Sequence, residues 1–286
     1  MAILNEGGAM PGVGAIHIDE ITPTLDVLEK ELGIDLKNNT LGSVGKKTFS
    51  GDIDVAIDID PKNTEEFMNK LKASKLIQDI AKSNVIMTKV KIVNYDPNIE
   101  GSAKARTGFV QVDFMPGNPS WMKTFYHAPS EKESKYKGVF RNLMITSITK
   151  FLDVEQSSET TDDGRPLELE RWMWSNSKGL VRIKRKPVPK KTGDGYTKKN
   201  DDTVIGGPFT NPKDIVKTLK LDSPADLNSY ESLKAAIEKN YPAPMVKRIL
   251  DNFAADRTVR DIGVPSDLTT ESLADKQLRR IKELLK

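Results

Sequence analysis

The sequence predicts an α+β fold, and three observations carry that prediction. Short segments of strict apolar/polar alternation fall within the first half of the chain. Segments with helical spacing are interleaved with them. From about residue 155 the pattern changes to a hairpin, a lysine-rich polar stretch and then a run of amphipathic helices. The organisation expected is residues 1–155 as one mixed domain, 156–207 as hairpin and basic linker, and 208–286 as a helical C-terminal domain.

Taken in order, "GGAMPGVG" has the composition of a mobile leader, and its Gly12-x-Gly14 follows no strand. In "ITPTLDVLEKELGI", Thr22 suits a cap, Pro23 the first helical position, and Gly33 the stop. Residues 53–59 alternate and read as a strand, after which Asp60-Pro61 opens a helix, "PKNTEEFMNKLKAS". "NVIMTKVKIVNY" and "TGFVQVDFMPG" are two further strands. "YKGVFRNLMITSITKFL" carries a broad apolar stripe and predicts a buried helix over roughly 136–152. "DVEQSSETTDDG" reads as an exposed loop, and "LELERWMWSNSKGLVRIKRK" as a β-hairpin turning at "NSKG", with Trp172 and Trp174 packing on one face. "PVPKKTGDGYTKKNDD" is the linker. "NPKDIVKTLK", "SYESLKAAIEKN", "APMVKRILDNFAA" and "TESLADKQLRRIKELLK" are helical.

The 286-residue chain has 37% apolar and 30% charged residues, which allows a sizeable core beneath a well-solvated surface. A net charge of +3 rules out a strong whole-molecule polyanion binder. With no cysteine, the chain has no disulfide, thiolate metal site or cysteine nucleophile, and two histidines are too few for a histidine-based metal site. No secretory signal pattern and no apolar run of bilayer-spanning length are present, so the expectation is a cytoplasmic protein without a membrane partner. Nothing in the sequence sets an oligomeric state.

The chemistry concentrates in "LGSVGKKTFSGDIDVAIDID", residues 41–60. Period-two geometry puts Ile53, Val55, Ile57 and Ile59 on one strand face and Asp52, Asp54 and Asp58 on the other. Like charges along one face repel, and unpaired buried carboxylates are costly, so that face requires water, cations or a metal. "FVQVDFM" divides the same way, with Gln111 and Asp113 opposite Val110, Val112 and Phe114. If the two strands are neighbours, Asp113 joins Asp52 and Asp54. Such a trio suits Mg²⁺ (or Mn²⁺), and paired ions about 3.5–4 Å apart serve in-line phosphoryl transfer. Upstream, Gly42 permits close backbone approach, Ser43 can donate to a phosphate oxygen, and a helix starting there would add free N–H groups. Lys46 and Lys47 stand near in sequence to neutralise phosphate charge, and Lys137 and Arg141 open a helix from which they could reach a triphosphate.

These residues resemble the signature of the DNA polymerase β-like nucleotidyltransferase superfamily: an apolar residue with Gly-Ser (Leu41-Gly42-Ser43), Asp-x-Asp in a strand (Asp52-Ile53-Asp54), and a third acid on a later strand (Asp113). Where many members have Gly-Thr, this chain has Lys47-Thr48. The resemblance covers roughly residues 20–150. It implies an open mixed sheet backed by helices and a nucleoside triphosphate substrate. It further implies that pyrophosphate leaves and an acceptor hydroxyl attacks, with Asp52 and Asp54 bridging both metals and Asp113 holding the metal that activates the acceptor. Asp-x-Asp-x-Val also fits the first motif of haloacid-dehalogenase-type phosphatases, but those place it at the end of an apolar parallel strand, and here it follows the turn "GKKTFSG".

The acceptor stays open at this stage: a nucleic acid end, a protein hydroxyl or a small molecule. The basic stretch 178–199, with Lys184, Arg185 and Lys186 at its centre, fits a polynucleotide. The competing reading is a non-catalytic nucleic-acid-binding protein that retains the same fold.

Overall fold

The computed structural model describes residues 10–60, 63–83, 85–130, 132–192 and 194–268. By its contacts the chain divides into two compact units, Met1–Gly138 and Val139–Lys286.

The first unit is built on a four-stranded mixed sheet. Its strands are β3 (Ile53–Ile57), β4 (Ile77–Lys82), β5 (Ile86–Lys91) and β6 (Phe109–Pro116), in the order β3-β6-β5-β4. β3 and β6 are parallel, while β6-β5 and β5-β4 are antiparallel. A parallel pair needs a crossover. Here it is made by α2 (Glu65–Ala73) and the β4-β5 hairpin. A small ribbon of β1 (Ile16–His17) and β2 (Phe49–Ser50) closes against the start of α1 (Ile18–Leu32).

One sheet face is the core. Ile53, Val55 and Ile57 of β3 and Val110, Val112 and Phe114 of β6 pack with Leu25, Leu28 and Leu32 of α1 and Phe67 and Leu71 of α2. Phe67 meets Phe114 edge-on, with centroids 5.2 Å apart. Burying each of these large apolar side chains contributes about 1.5–3 kcal/mol. The other face carries a small separate cluster, Leu41, Ala56 and Met122, the last from α3 (Pro119–Phe125).

α1 begins earlier than expected. His17, not Thr22, is the cap: its Nδ1 accepts from Asp19 N at 3.4 Å, and its own N–H donates to Glu20 Oε2 at 3.0 Å. That reciprocal box outweighs Pro23, which lies inside the helix rather than at its first position. α2 begins at Glu65 rather than at Asp60, and Pro61 lies outside the described residues. Part of the expected leader is tied down: Met10 is buried and donates to Gln111 Oε1 at 3.2 Å, and Gly14 N donates to Phe109 O at 2.7 Å.

The second unit opens with α4 (Gly138–Thr149, whose first residue ends the first unit) and continues into an antiparallel sheet. Its strands β7 (Glu155–Gln156), β8 (Leu169–Ser175), β9 (Gly179–Pro189) and β10 (Tyr196–Phe209) lie in sequence order. The predicted hairpin is β8-β9. The expected basic linker is instead largely strand, running through the end of β9 into β10, which pairs with β9. α5 (Pro212–Thr218), α6 (Tyr230–Asn240), α7 (Ala243–Ala254) and α8 (Arg257–Ile262) follow, around a core in which Phe140, Tyr230 and Phe253 meet ring to ring. The last expected helix, "TESLADKQLRRIKELLK", lies outside the described residues. No helix among the described residues is long and apolar enough to cross a membrane.

Candidate active site

The parallel β3-β6 pair places Asp54 directly opposite Asp113. Asp52 stands just ahead of β3, on the same side by the strand's alternation. All three are partly buried rather than on an open, fully hydrated face. Burial pushes Asp54 up to about 7, with the charges of Asp52 and Asp113 adding to the rise. Burial likewise raises Asp113 to about 6, against a lowering from its Gln111 hydrogen bonds. Asp52 is raised by burial and partly relieved by Lys104. The three carboxylates thus repel one another, and Lys104 offsets part of the charge at Asp52.

Two neighbours outside the sequence-derived site set this electrostatic balance. Gln111 Nε2 donates to both oxygens of Asp113, at 2.9 and 3.1 Å, and its Oε1 is held by Met10 N. Lys104 Nζ donates to Gly51 O at 2.7 Å, beside Asp52. The shared strand face of Gln111 and Asp113 is legible from alternation. Lys104 sits in an irregular segment fifty residues from its partner and gives no such signal.

Gly42 lies against this cluster. Leu41 N donates to Asp54 O at 2.8 Å, which lays the loop along β3. Gly42 has φ 63°, and a Cβ built there would stand 3.9 Å from Asp54 Oδ2. The left-handed backbone, more than space, favours glycine at this position. No helix begins at Ser43. Instead, Val44 N and Lys46 N turn back onto Leu41 O and Ser43 O, at 3.4 and 3.1 Å, so the expected helix N-terminus is replaced by a tight turn with Ser43 exposed.

The cations separate into different settings. Lys46 donates its Nζ to Ala128 O, and burial lowers its affinity for the proton. Lys47 is exposed in the same loop, and Lys137 is exposed at the end of the first unit. Arg141 is placed elsewhere: it is buried in the second unit, donates Nε to Leu227 O and Nη1 to Asn142 Oδ1, and lies 5.9 Å from the Trp174 ring centroid. Burial brings it down to about 10. Its environment is that of a core residue in that unit.

Lys184, Arg185 and Lys186 are paired within their own sheet. Glu168 receives Lys184 at 2.7 Å and Lys186 at 2.6 Å, which holds its carboxyl down to about 2. Arg185 grips Asp202 with two hydrogen bonds of 2.6 Å. Trp172 and Trp174 pack: Trp174 is buried, and Trp172 lies 5.9 Å from Phe209.

Among the described residues, no set of three or more His, Asp or Glu side chains stands ready to hold a metal ion. The donor chemistry of Asp52, Asp54 and Asp113 nevertheless fits a hard divalent cation. Mg²⁺ is commonly held by one or two carboxylates together with phosphate oxygens and water rather than by an all-protein cage. Burial first, and neighbouring carboxylate charge second, raises the proton affinities of Asp54 and Asp113, a setting that a bound cation would relieve.

No protein-family model matches the chain, and no curated protein does. Among solved structures it is similar to Leishmania infantum polymerase beta in a ternary gap complex, at 16% identity and a TM-score of 0.33, over 58% of this chain and 51% of that one. It is also similar to the same polymerase in a ternary P/T complex, at 14% identity and a TM-score of 0.37, over 75% of this chain and 77% of that one. The chain therefore spans about half the length of the first of these structures.

Proposed function

We propose that the chain is a metal-dependent nucleotidyltransferase that moves a nucleoside monophosphate from a nucleoside triphosphate to an acceptor hydroxyl. The observation that carries this reading is the register of Asp54 against Asp113, with Asp52 alongside and the Gly42 backbone against Asp54.

Asp52, Asp54 and Asp113 would hold Mg²⁺ or Mn²⁺, which when bound supplies Lewis-acid stabilisation of phosphoryl oxygens and eases ionisation of the attacking hydroxyl. The protein's own groups divide the remaining work. Ser43 Oγ and the N–H groups of its turn can donate to triphosphate oxygens, and Lys47 and Lys137 can offset their charge. Asp113, beside the site the attacking hydroxyl would occupy, can also help accept its proton. Gln111 fixes the orientation in which it does so.

The reading is tested by incubating the full chain with each of the four α-labelled NTPs and Mg²⁺ or Mn²⁺, offering RNA, DNA and protein as acceptors. Label should appear covalently on one acceptor class and be absent with Asp54→Asn. Label on no acceptor with any NTP would leave a fold without this chemistry.

A further inference from the structure

The second unit contains a groove of about 450 Å³ lined by Lys150, Phe151, Gln156, Leu169, Arg171 and Arg248 among its residues. No acidic residue lines it, while three cations do. They come from three parts of the fold: the turn just after α4, strand β8 and helix α7.

Their existing partners leave most of the charge uncompensated. Lys150 Nζ donates to the neutral Asn252 Oδ1 at 3.1 Å. Arg248 lies over the Phe151 ring, 4.6 Å from its centroid. Arg171 is half-buried, and among the described residues its guanidinium makes no hydrogen bond or ion pair; Arg185 repels it, and Asp202 attracts it only from a distance while bonded to Arg185. A half-buried guanidinium that leans on no side-chain acceptor keeps its N–H groups available to an anion that reaches the groove.

Register explains why this side of the sheet differs from the other. Leu169 and Arg171 share one face of β8, with Gln156 opposite Leu169. Glu168, Glu170, Lys184 and Lys186 occupy the alternate positions and neutralise one another there. The zipped face has little left to offer a polyanion. The groove face has three cations over an apolar floor of Phe151 and Leu169.

We propose that this groove binds one nucleotide unit of a single-stranded nucleic acid, with its phosphates on Lys150, Arg171 and Arg248. The volume lies within the range of small-ligand pockets, and a cationic rim over an aromatic and aliphatic floor fits a ligand that joins phosphate charge to a flat apolar base. The lysine-rich strand, which sequence alone nominates for this task, is not the contact.

The test uses the full chain, without NTP or metal, so its result stands apart from that of the carboxylate site. Fluorescence anisotropy is measured at low salt with labelled single-stranded RNA and DNA of about twelve nucleotides. The Lys150→Gln/Arg248→Gln double variant changes two exposed side chains, so its melting temperature should match wild type. It should bind about tenfold or more weakly. Its salt slope should be shallower by about 1.4, or roughly 0.7 for each phosphate no longer neutralised. Arg171→Gln should weaken binding in the same direction. Lys184→Gln/Lys186→Gln should leave affinity unchanged, and an unlabelled mononucleotide should displace the oligonucleotide only in large excess. Absence of binding at low salt, wild-type affinity in the groove variants, or an equal loss in the Lys184/Lys186 variant would overturn the proposal. Displacement by the mononucleotide at matched concentration would overturn the strand as the ligand.

Discussion

Asp54 and Asp113 are register partners across the parallel β3-β6 pair, two carboxylates set side by side at the β3 end of the first unit's sheet. Like charges placed this way cost stability. The fold keeps them together in a partly buried setting, and burial first, with neighbouring carboxylate charge second, raises Asp54 to about 7 and Asp113 to about 6.

A pH dependence follows, with a definite sign. A carboxylate whose folded pKa lies above its unfolded value of about 3.9 binds more protons folded than unfolded in the interval between the two. Stability of the metal-free chain should therefore fall as pH rises from about 4 to about 7, by on the order of 2 kcal/mol once solvent screening is discounted. Denaturant midpoints across that range check this, and Asp54→Asn should flatten the profile. A metal-free chain that gains stability over the same interval would contradict the placement of these carboxylates.

The carboxylates should behave as one unit in chemistry and as a liability in stability. Asp52→Asn, Asp54→Asn and Asp113→Asn should each abolish nucleotidyl transfer, while the Tm of each metal-free variant equals or exceeds that of wild type. Full transfer in any one variant removes that residue from the site.

Ser43→Ala removes a single hydroxyl from an exposed turn. Loss of one charge-assisted hydrogen bond is worth about 1.5–3 kcal/mol, so KM for the NTP should rise by about tenfold or more with the fold unaffected. Unchanged steady-state constants would mean the turn does not touch the triphosphate.

Glu20 of α1 and Arg106 form a buried ion pair in the first unit. Arg106 donates Nη1 to Glu20 Oε2 at 3.0 Å and Nη2 to Glu20 Oε1 at 2.7 Å, and Glu20 also accepts from the backbone of His17 and Asp96. Both side chains are buried. Arg106→Ala leaves Glu20 without its counter-charge and should cost about 3–5 kcal/mol in equilibrium unfolding. A loss below about 1 kcal/mol would place the pair among weak surface bridges.

What the sequence made legible was whatever rests on period-two geometry. Asp52, Asp54, Gln111 and Asp113 each take the predicted face, because one buried face dictates the other. β4 gives no such signal because its residues, "IQDIAK", are only partly buried and do not alternate. β10 is hidden for a related reason: its polar residues are stabilised by cross-strand pairs such as Arg185–Asp202, which apolar periodicity does not register. Arg141 reads as a helix-opening cation, yet its helix is buried along that side and the guanidinium is satisfied by the Leu227 carbonyl. His17 outcompetes Thr22 as a cap because Glu20 completes the box three residues later. The sequence contains that signal, masked by the more common Thr-Pro pair.

The most direct test of the central claim is pyrophosphate release as a function of Mg²⁺ concentration, measured for wild type and Asp54→Asn with the acceptor class identified by label transfer. Wild type should release pyrophosphate with saturable Mg²⁺ dependence, and Asp54→Asn should fall by about a thousandfold or more, as expected when transition-state charge stabilisation is removed. Equal rates in the two proteins, or release that ignores the metal, would contradict the assignment of Asp52, Asp54 and Asp113 as a metal-dependent catalytic centre.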